Sequence, residues 1–177
     1  MKTRMNYKTK LKDIKAFIFD CDGVLTDGRV TLLPSGEQVR TMNTRDGYAL
    51  QLAVKKGYTV AIISGGSSAA VKSRMAKLGV HDVYLGCHDK VTALKELIHI
   101  YSLDPTQILY MGDDLPDYEV MQEVGLPTCP DNAAQEIKNL SDYISHKKGG
   151  DGCVRDVIEQ AMKVQGKWLV DTSTTSV

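Results

Sequence analysis

Short apolar runs alternate with amphipathic stretches along this chain, and several of the runs stop at a polar group able to do chemistry. Ala16-Phe17-Ile18-Phe19 leads straight into Asp20-Cys21-Asp22-Gly23. Such a run, bounded by a glycine-bearing turn, reads as a strand buried on both faces, as in a parallel sheet covered by helices. The same pattern returns at 59–63, which ends in Ser64-Gly65-Gly66, and at 108–111, which ends in Gly112-Asp113-Asp114. Shorter runs at 83–85, 126–129 and 143–144 complete the strands. Helical spacing appears at 47–56, around Val71, Met75 and Leu78, at 89–101, in the stretch up to 123, at 133–140 and at 154–164. The clearest helix is 89–101, where Val91, Leu94, Leu97, Ile98 and Tyr101 form one stripe. Segments 30–33 and 38–41 flank Pro34-Ser35-Gly36 and predict a hairpin that protrudes after the first strand. The whole predicts an α/β fold: a Rossmann-like, doubly wound parallel sheet.

With 177 residues the chain is predicted to form one domain, with flexible ends over 1–12 and 171–177. Its 22 basic and 22 acidic residues balance, so no net field points to nucleic acid or to a membrane surface. Four scattered cysteines form no CxxC pair and predict neither a zinc site nor a disulfide framework. No leader peptide or apolar span is visible, and a reducing cytoplasm is the expected location.

In a parallel sheet the carboxyl ends of the strands share one edge, where ligands bind. Asp20, Asp22, Ser64, Asp113, Asp114 and Asp117 should therefore meet there, with Lys90 from the start of a helix. Carboxylates of this kind suit a divalent cation, and a hydroxyl with an ammonium suits an anion. Blander readings exist: Asp114 can be a helix cap, and Ser64 can be a turn residue. Lys90 sits where the helix dipole disfavours a cation, which favours a functional role.

These four motifs, Asp20-Cys21-Asp22-Gly23-Val24, Ser64, Lys90 and Gly112-Asp113-Asp114-Leu115-Pro116-Asp117, resemble those of the haloacid dehalogenase superfamily, in the family's order. The resemblance covers nearly the whole chain. It implies that Asp20 attacks phosphorus to form an aspartyl-phosphate, and that Asp22 protonates the leaving alcohol and then activates water. It further implies that Ser64 and Lys90 hold the phosphoryl oxygens. Mg²⁺ would be bound by Asp20, the carbonyl of Asp22 and Asp113, with Asp114 and Asp117 in support.

Many relatives carry an inserted cap, but 23–63 and 65–89 are already filled by predicted strands and helices, so no cap domain is expected. A site this open needs a macromolecular substrate or a neighbouring subunit as a lid. The hairpin, Arg45-Asp46-Gly47 and the run Gly149-Gly150-Asp151-Gly152-Cys153-Val154-Arg155 resemble the capless tetrameric branch that dephosphorylates 3-deoxy-D-manno-octulosonate 8-phosphate in lipopolysaccharide synthesis. In that branch the hairpin and C-terminal tail of one subunit close the next site, which implies a homotetramer. Phosphatases of nine-carbon 2-keto-3-deoxy sugar acid 9-phosphates share most of these features without the Arg-Asp-Gly form. A substrate carboxylate needs a second cation, and Arg45 and Arg155 are candidates, with Gly65 as a further substrate contact. The alternative reading pairs Arg45 with Asp46, and Arg155 with Asp151. One departure stands out: many octulosonate phosphatases have Arg after the Ser-Gly pair, where this chain has Gly66.

Overall fold

The computed structural model describes residues 6–168. A short helix, α1 (Tyr7–Lys10), precedes β1 (Ala16–Phe19). The hairpin strands β2 (Thr31–Leu32) and β3 (Gln38–Val39) follow, then α2 (Thr44–Lys55), β4 (Thr59–Ile63), α3 (Ala69–Lys77), β5 (Asp82–Tyr84) and α4 (Lys90–Tyr101). The second half runs β6 (Ile108–Met111), α5 (Tyr118–Gln122), β7 (Leu126–Cys129), α6 (Gln135–Leu140), β8 (Tyr143–Ile144) and α7 (Cys153–Val164). Six strands form one parallel sheet in the order β5-β4-β1-β6-β7-β8. The chain winds outward from β1 on one side, then crosses it and winds outward on the other. The strand order therefore reverses at β1, which places the crevice at its carboxyl end.

Alternation along the strands divides the core into two layers. Phe17 and Phe19 of β1 face the side covered by α2, α3 and α7, with Leu50, Met75 and Ile158 among the residues packed there. Ala16 and Ile18 face α4, α5 and α6, beside Leu94, Met121 and Ile137. All four β1 residues are fully buried, which is why the strand reads as a continuous apolar run. Truncating Phe17 to alanine would cost about 3–5 kcal/mol.

The structure departs from the sequence reading in two places. α2 starts at Thr44 instead of residue 47, because the Asn43 side chain accepts from Arg45 N and caps the helix one turn earlier. Flexibility was expected over 1–12, yet 6–12 are tied down. Leu11 is buried, Lys10 Nζ donates to Gly125 O at 2.7 Å and pairs with Asp142 at 2.6 Å, and the Tyr7 ring packs on Tyr143. Residues 1–5 and the expected flexible tail, 171–177, lie outside the described residues. The last helix, α7, is packed into the core. Val154, Val157, Ile158, Ala161 and Met162 are part of the core. Among the described residues no helix is long and apolar enough to cross a membrane.

Candidate active site

After Phe19 the chain leaves the sheet edge and coils tightly over Cys21–Leu25. Gly23 takes φ +89°, and a Cβ there would overlap Asp113 Oδ2, so only glycine lets this loop close on the β6 end. A second glycine braces it from behind. A Cβ on Gly149 would overlap the Gly23 carbonyl, so the 149–152 run lies backbone to backbone against the loop. The 149–152 run thus supports the loop that carries Asp20 and Asp22.

Asp20 is 8 % exposed; its Oδ1 accepts from Cys21 N at 2.6 Å, and its Oδ2 lies 3.0 Å from Lys90 Nζ. Lys90, also buried, donates to Asp117 Oδ1 at 2.7 Å. Asp117 is held further by the Tyr110 hydroxyl at 2.8 Å, and its Oδ2 accepts from Asp113 N at 3.1 Å. Carboxylate oxygens of Asp20, Asp113 and Asp117 all lie within 4.8 Å of one another. An all-oxygen carboxylate donor set on a crevice edge fits a hard divalent cation such as Mg²⁺. Asp117 already accepts from Lys90, Tyr110 and Asp113, so Asp20 and Asp113 have the freer oxygens. Ser64 is buried, and its Oγ accepts from Gly66 N at 3.2 Å.

The electrostatics carry the mark of a metal-binding cluster. Burial, and then the neighbouring Asp117, push the Asp20 carboxyl up to about 7, against the pull of Lys90. Burial, Asp117 and Asp114 push Asp113 up to about 7 as well. Burial works against the Lys90 charge, but Asp117 and Asp20 outweigh it and hold its pKa above the usual lysine value. Two carboxyls with little net charge near neutrality, facing one trapped ammonium, need a further cation to be fully ionised together. Burial and the flanking Asp22 and Asp20 push the Cys21 thiol up to about 12, which makes it inert.

Comparison with known proteins agrees with this geometry. Residues 82–157 match the family of haloacid dehalogenase-like hydrolases. The 3-deoxy-D-manno-octulosonate 8-phosphate phosphatase KdsC of Salmonella typhi is 37 % identical over 159 residues, 90 % of this chain and 85 % of the relative. The chain belongs to the haloacid dehalogenase-like hydrolases. This hydrolase is a phosphoric monoester hydrolase, with the α/β fold of its KdsC relatives. The crystal structure of 3-deoxy-D-manno-octulosonate 8-phosphate phosphatase from Yersinia pestis superposes with a TM-score of 0.91 at 32 % identity, over 97 % of this chain and 91 % of that one. That of the Moraxella catarrhalis enzyme, in complex with a magnesium ion, a phosphate ion and KDO, gives 0.88 at 37 % identity, over 93 % and 95 % of the two chains.

Within this hydrolase the sequence-predicted residues fall into two groups. Asp20, Lys90, Asp113 and Asp117 are brought together, while Asp22, Ser64 and Gly65 lie on the adjoining loops. Asp114 is exposed, and its Oδ1 accepts from Leu115 N at 2.8 Å, the capping geometry. Arg45 and Arg155 sit apart. They line a separate open depression of about 700 Å³ whose lining includes none of Asp20, Asp22, Ser64 or Lys90. Arg155 pairs with Glu159 at 3.0 Å instead of Asp151, and lies over the Trp168 ring. Asp46, the expected partner of Arg45, is buried and accepts from Arg155 N at 2.7 Å.

Two functional residues escaped the sequence reading. Tyr110 looks like ordinary strand core, and only its hydroxyl bond to Asp117 ties it to the site. Arg40 lies at the exit of an exposed hairpin, yet it forms a bidentate pair with Asp22, Nε to Oδ1 at 2.6 Å and Nη2 to Oδ2 at 3.0 Å. No local pattern signals either contact.

Proposed function

We propose that the chain hydrolyses 3-deoxy-D-manno-octulosonate 8-phosphate to the free sugar acid and phosphate, with Mg²⁺, in cytoplasmic lipopolysaccharide synthesis. The observation that carries this reading is the arrangement of Asp20, Lys90, Asp113 and Asp117 around one point, in a chain 37 % identical to an octulosonate phosphatase over 90 % of its length.

Asp20 is the nucleophile: its carboxylate attacks phosphorus as the bond from phosphorus to the sugar oxygen breaks. Asp22 gives its proton to that leaving oxygen, which would otherwise depart as a poor alkoxide leaving group. Asp22 then takes a proton from water as the water attacks the aspartyl-phosphate, releasing phosphate and restoring Asp20. Lys90 and Ser64, with the backbone at Gly65, hold the phosphoryl oxygens and offset charge in the transition state. Asp117 and Tyr110 keep Lys90 aimed. Asp20, Asp113 and the Asp22 carbonyl would hold Mg²⁺, with Asp114 and Asp117 in support. Bound there, the cation offsets the negative charge of nucleophile and phosphate together.

The working enzyme is a homotetramer in this reading. The hairpin is almost wholly exposed and carries apolar side chains outward, Leu32 at 70 % exposure. A second copy covers them, and the hairpin and the C-terminal tail close the neighbouring site. Contacts from Arg45 and Arg155 to substrate are then made between subunits, since within one chain they line a different depression.

The test is phosphate release with Mg²⁺ from the eight-carbon sugar-acid phosphate, a nine-carbon 2-keto-3-deoxy acid 9-phosphate, a hexose 6-phosphate and an aryl phosphate. A kcat/KM preference for the eight-carbon acid is expected. Preference for the nine-carbon acid moves the pathway and keeps the mechanism, and flat, weak rates on all four direct attention to macromolecular phosphates.

A further inference from the structure

Arg40 is half-buried where its surroundings predict full exposure. Residues 27–39 are all exposed, yet the Arg40 side chain is only 9 % exposed. Besides the pair with Asp22, its guanidinium makes two long contacts among the described residues, to Gln38 O and Gln38 Oε1, each at 3.3 Å. The space it fills exists because residue 66 is glycine. A Cβ on Gly66 would lie 3.1 Å from Asp22 Oδ2 and 3.3 Å from Arg40 Nη2. A larger side chain at that position would push the guanidinium out, so Gly66 and Arg40 fit together as a pair.

Both residues line a crevice of about 570 Å³ between the hairpin and loop 65–70. That volume suits a sugar-sized ligand. The crevice starts at Gly65, beside Ser64, where the phosphoryl group is proposed to sit. Among the residues lining it, Arg40 is the single cation, and Glu37 is an anion.

We infer that Arg40 binds a second anionic group of the substrate, a carboxylate, and so selects phosphate esters that are also acids. The inference rests on the sugar-acid reading of this site and names the residue that enforces it. A guanidinium presents five donors in a planar fork, so it can hold Asp22 along one edge and a ligand carboxylate along the other. The Nη1 edge, whose hydrogen-bond partner is Gln38 O at 3.3 Å, is the one to be taken over. This assignment replaces Arg45 and Arg155 as the carboxylate contact within one chain. It also accounts for Gly66 without loss of a cation: the charge enters from the hairpin instead of from loop 65–70.

The experiment compares kcat/KM for matched substrates that differ in a carboxylate. One pair is 3-deoxy-D-manno-octulosonate 8-phosphate against its C1 amide, which keeps the leaving group and removes the carboxylate. The other is 6-phosphogluconate against glucose 6-phosphate, which does not depend on the octulosonate assignment. Arg40→Ala is expected to lower the acid-to-neutral ratio in both pairs by about 10- to 100-fold, mainly through KM, the range for a lost charge-assisted hydrogen bond. Arg40→Lys retains part of the ratio, and Arg40→Ala with Gly66→Arg regains part of it by returning a guanidinium to the crevice. If Arg40→Ala does not fold, Arg40→Lys carries the test, with a smaller fall. Equal losses on acid and neutral esters would overturn the inference and leave Arg40 as a support for Asp22 alone. A wild-type enzyme indifferent to the carboxylate would overturn it too. A preference within the gluconate pair without turnover of the octulosonate ester would keep Arg40's role and reject the proposed substrate.

Discussion

Asp46, in the first turn of α2, accepts the main-chain N–H of Arg155 at 2.7 Å and so caps α7 from across the molecule. Gly152 has no side chain with which to cap this helix, and the carboxylate takes over the task. The Arg-Asp-Gly triplet thus serves, in part, to dock the last helix on α2.

This contact gives the first prediction. Burial pushes the Asp46 carboxyl up to about 6, more than the Arg155 N–H pulls it down, and its Oδ2 has no partner. A folded-state value above the unfolded one means that the folded protein holds a proton the unfolded chain releases. Stability therefore falls as pH rises from about 4 through about 6, by up to about 3 kcal/mol. Asp46→Asn keeps the accepting oxygen and removes this term. Urea unfolding at about pH 4.5 and about pH 7.5 should show a smaller loss in the variant than in wild type. Equal losses would assign the slope to other groups.

Replacement of the proposed nucleophile, Asp20→Asn, should reduce kcat by about 10⁴-fold or more while leaving the far-ultraviolet circular dichroism unchanged. Asp22→Asn should cost about 10²- to 10⁴-fold on a sugar phosphate and clearly less on an aryl phosphate, whose leaving group needs no proton. Losses that do not depend on the leaving group would remove Asp22 from the acid role.

Chelation of the metal should abolish turnover, and Mg²⁺ should raise the melting temperature more at alkaline than at acid pH. Asp20 and Asp113 both titrate near 7 without metal. Their raised values make the metal-free protein less stable as pH climbs through 7, because each newly formed charge is buried among its own kind. Mg²⁺ competes with those protons, so its stabilising effect should grow between about pH 6 and about pH 8. A pH-independent shift would place the cation elsewhere.

Leu32→Asp, at the most exposed apolar position of the hairpin, should split the proposed tetramer with little effect on the folding of the subunit. Light scattering reads the assembly. A variant that stays tetrameric would mean that copies meet through another surface.

The parts of the site legible in the sequence are those where chemistry coincides with a change of period. Asp20, Ser64 and Asp113 each follow a buried run at a strand's carboxyl end, and the sheet topology then brings them to one edge. Lys90 was legible because a cation opens a helix against the dipole. The contacts that shape the site were not, because each joins elements distant in the chain. Arg40 meets Asp22 across the hairpin, Tyr110 reaches Asp117 around a turn, and Asp46 meets the start of α7. Periodicity reports which face of an element is buried, and it is silent on which polar atom waits there. Arg45 and Arg155 stood out for their charge and their motifs, and within one chain they line a depression of their own.

The wedge of Gly149 behind Gly23 has a consequence for the order of events on the ribosome. The segment with Asp20 and Asp22 is synthesised well before Gly149, but the shape of its loop depends on that later brace. A nascent chain should therefore stay inert toward cellular phosphates until Gly149 has been added, and one terminated before it should be silent instead of unselective.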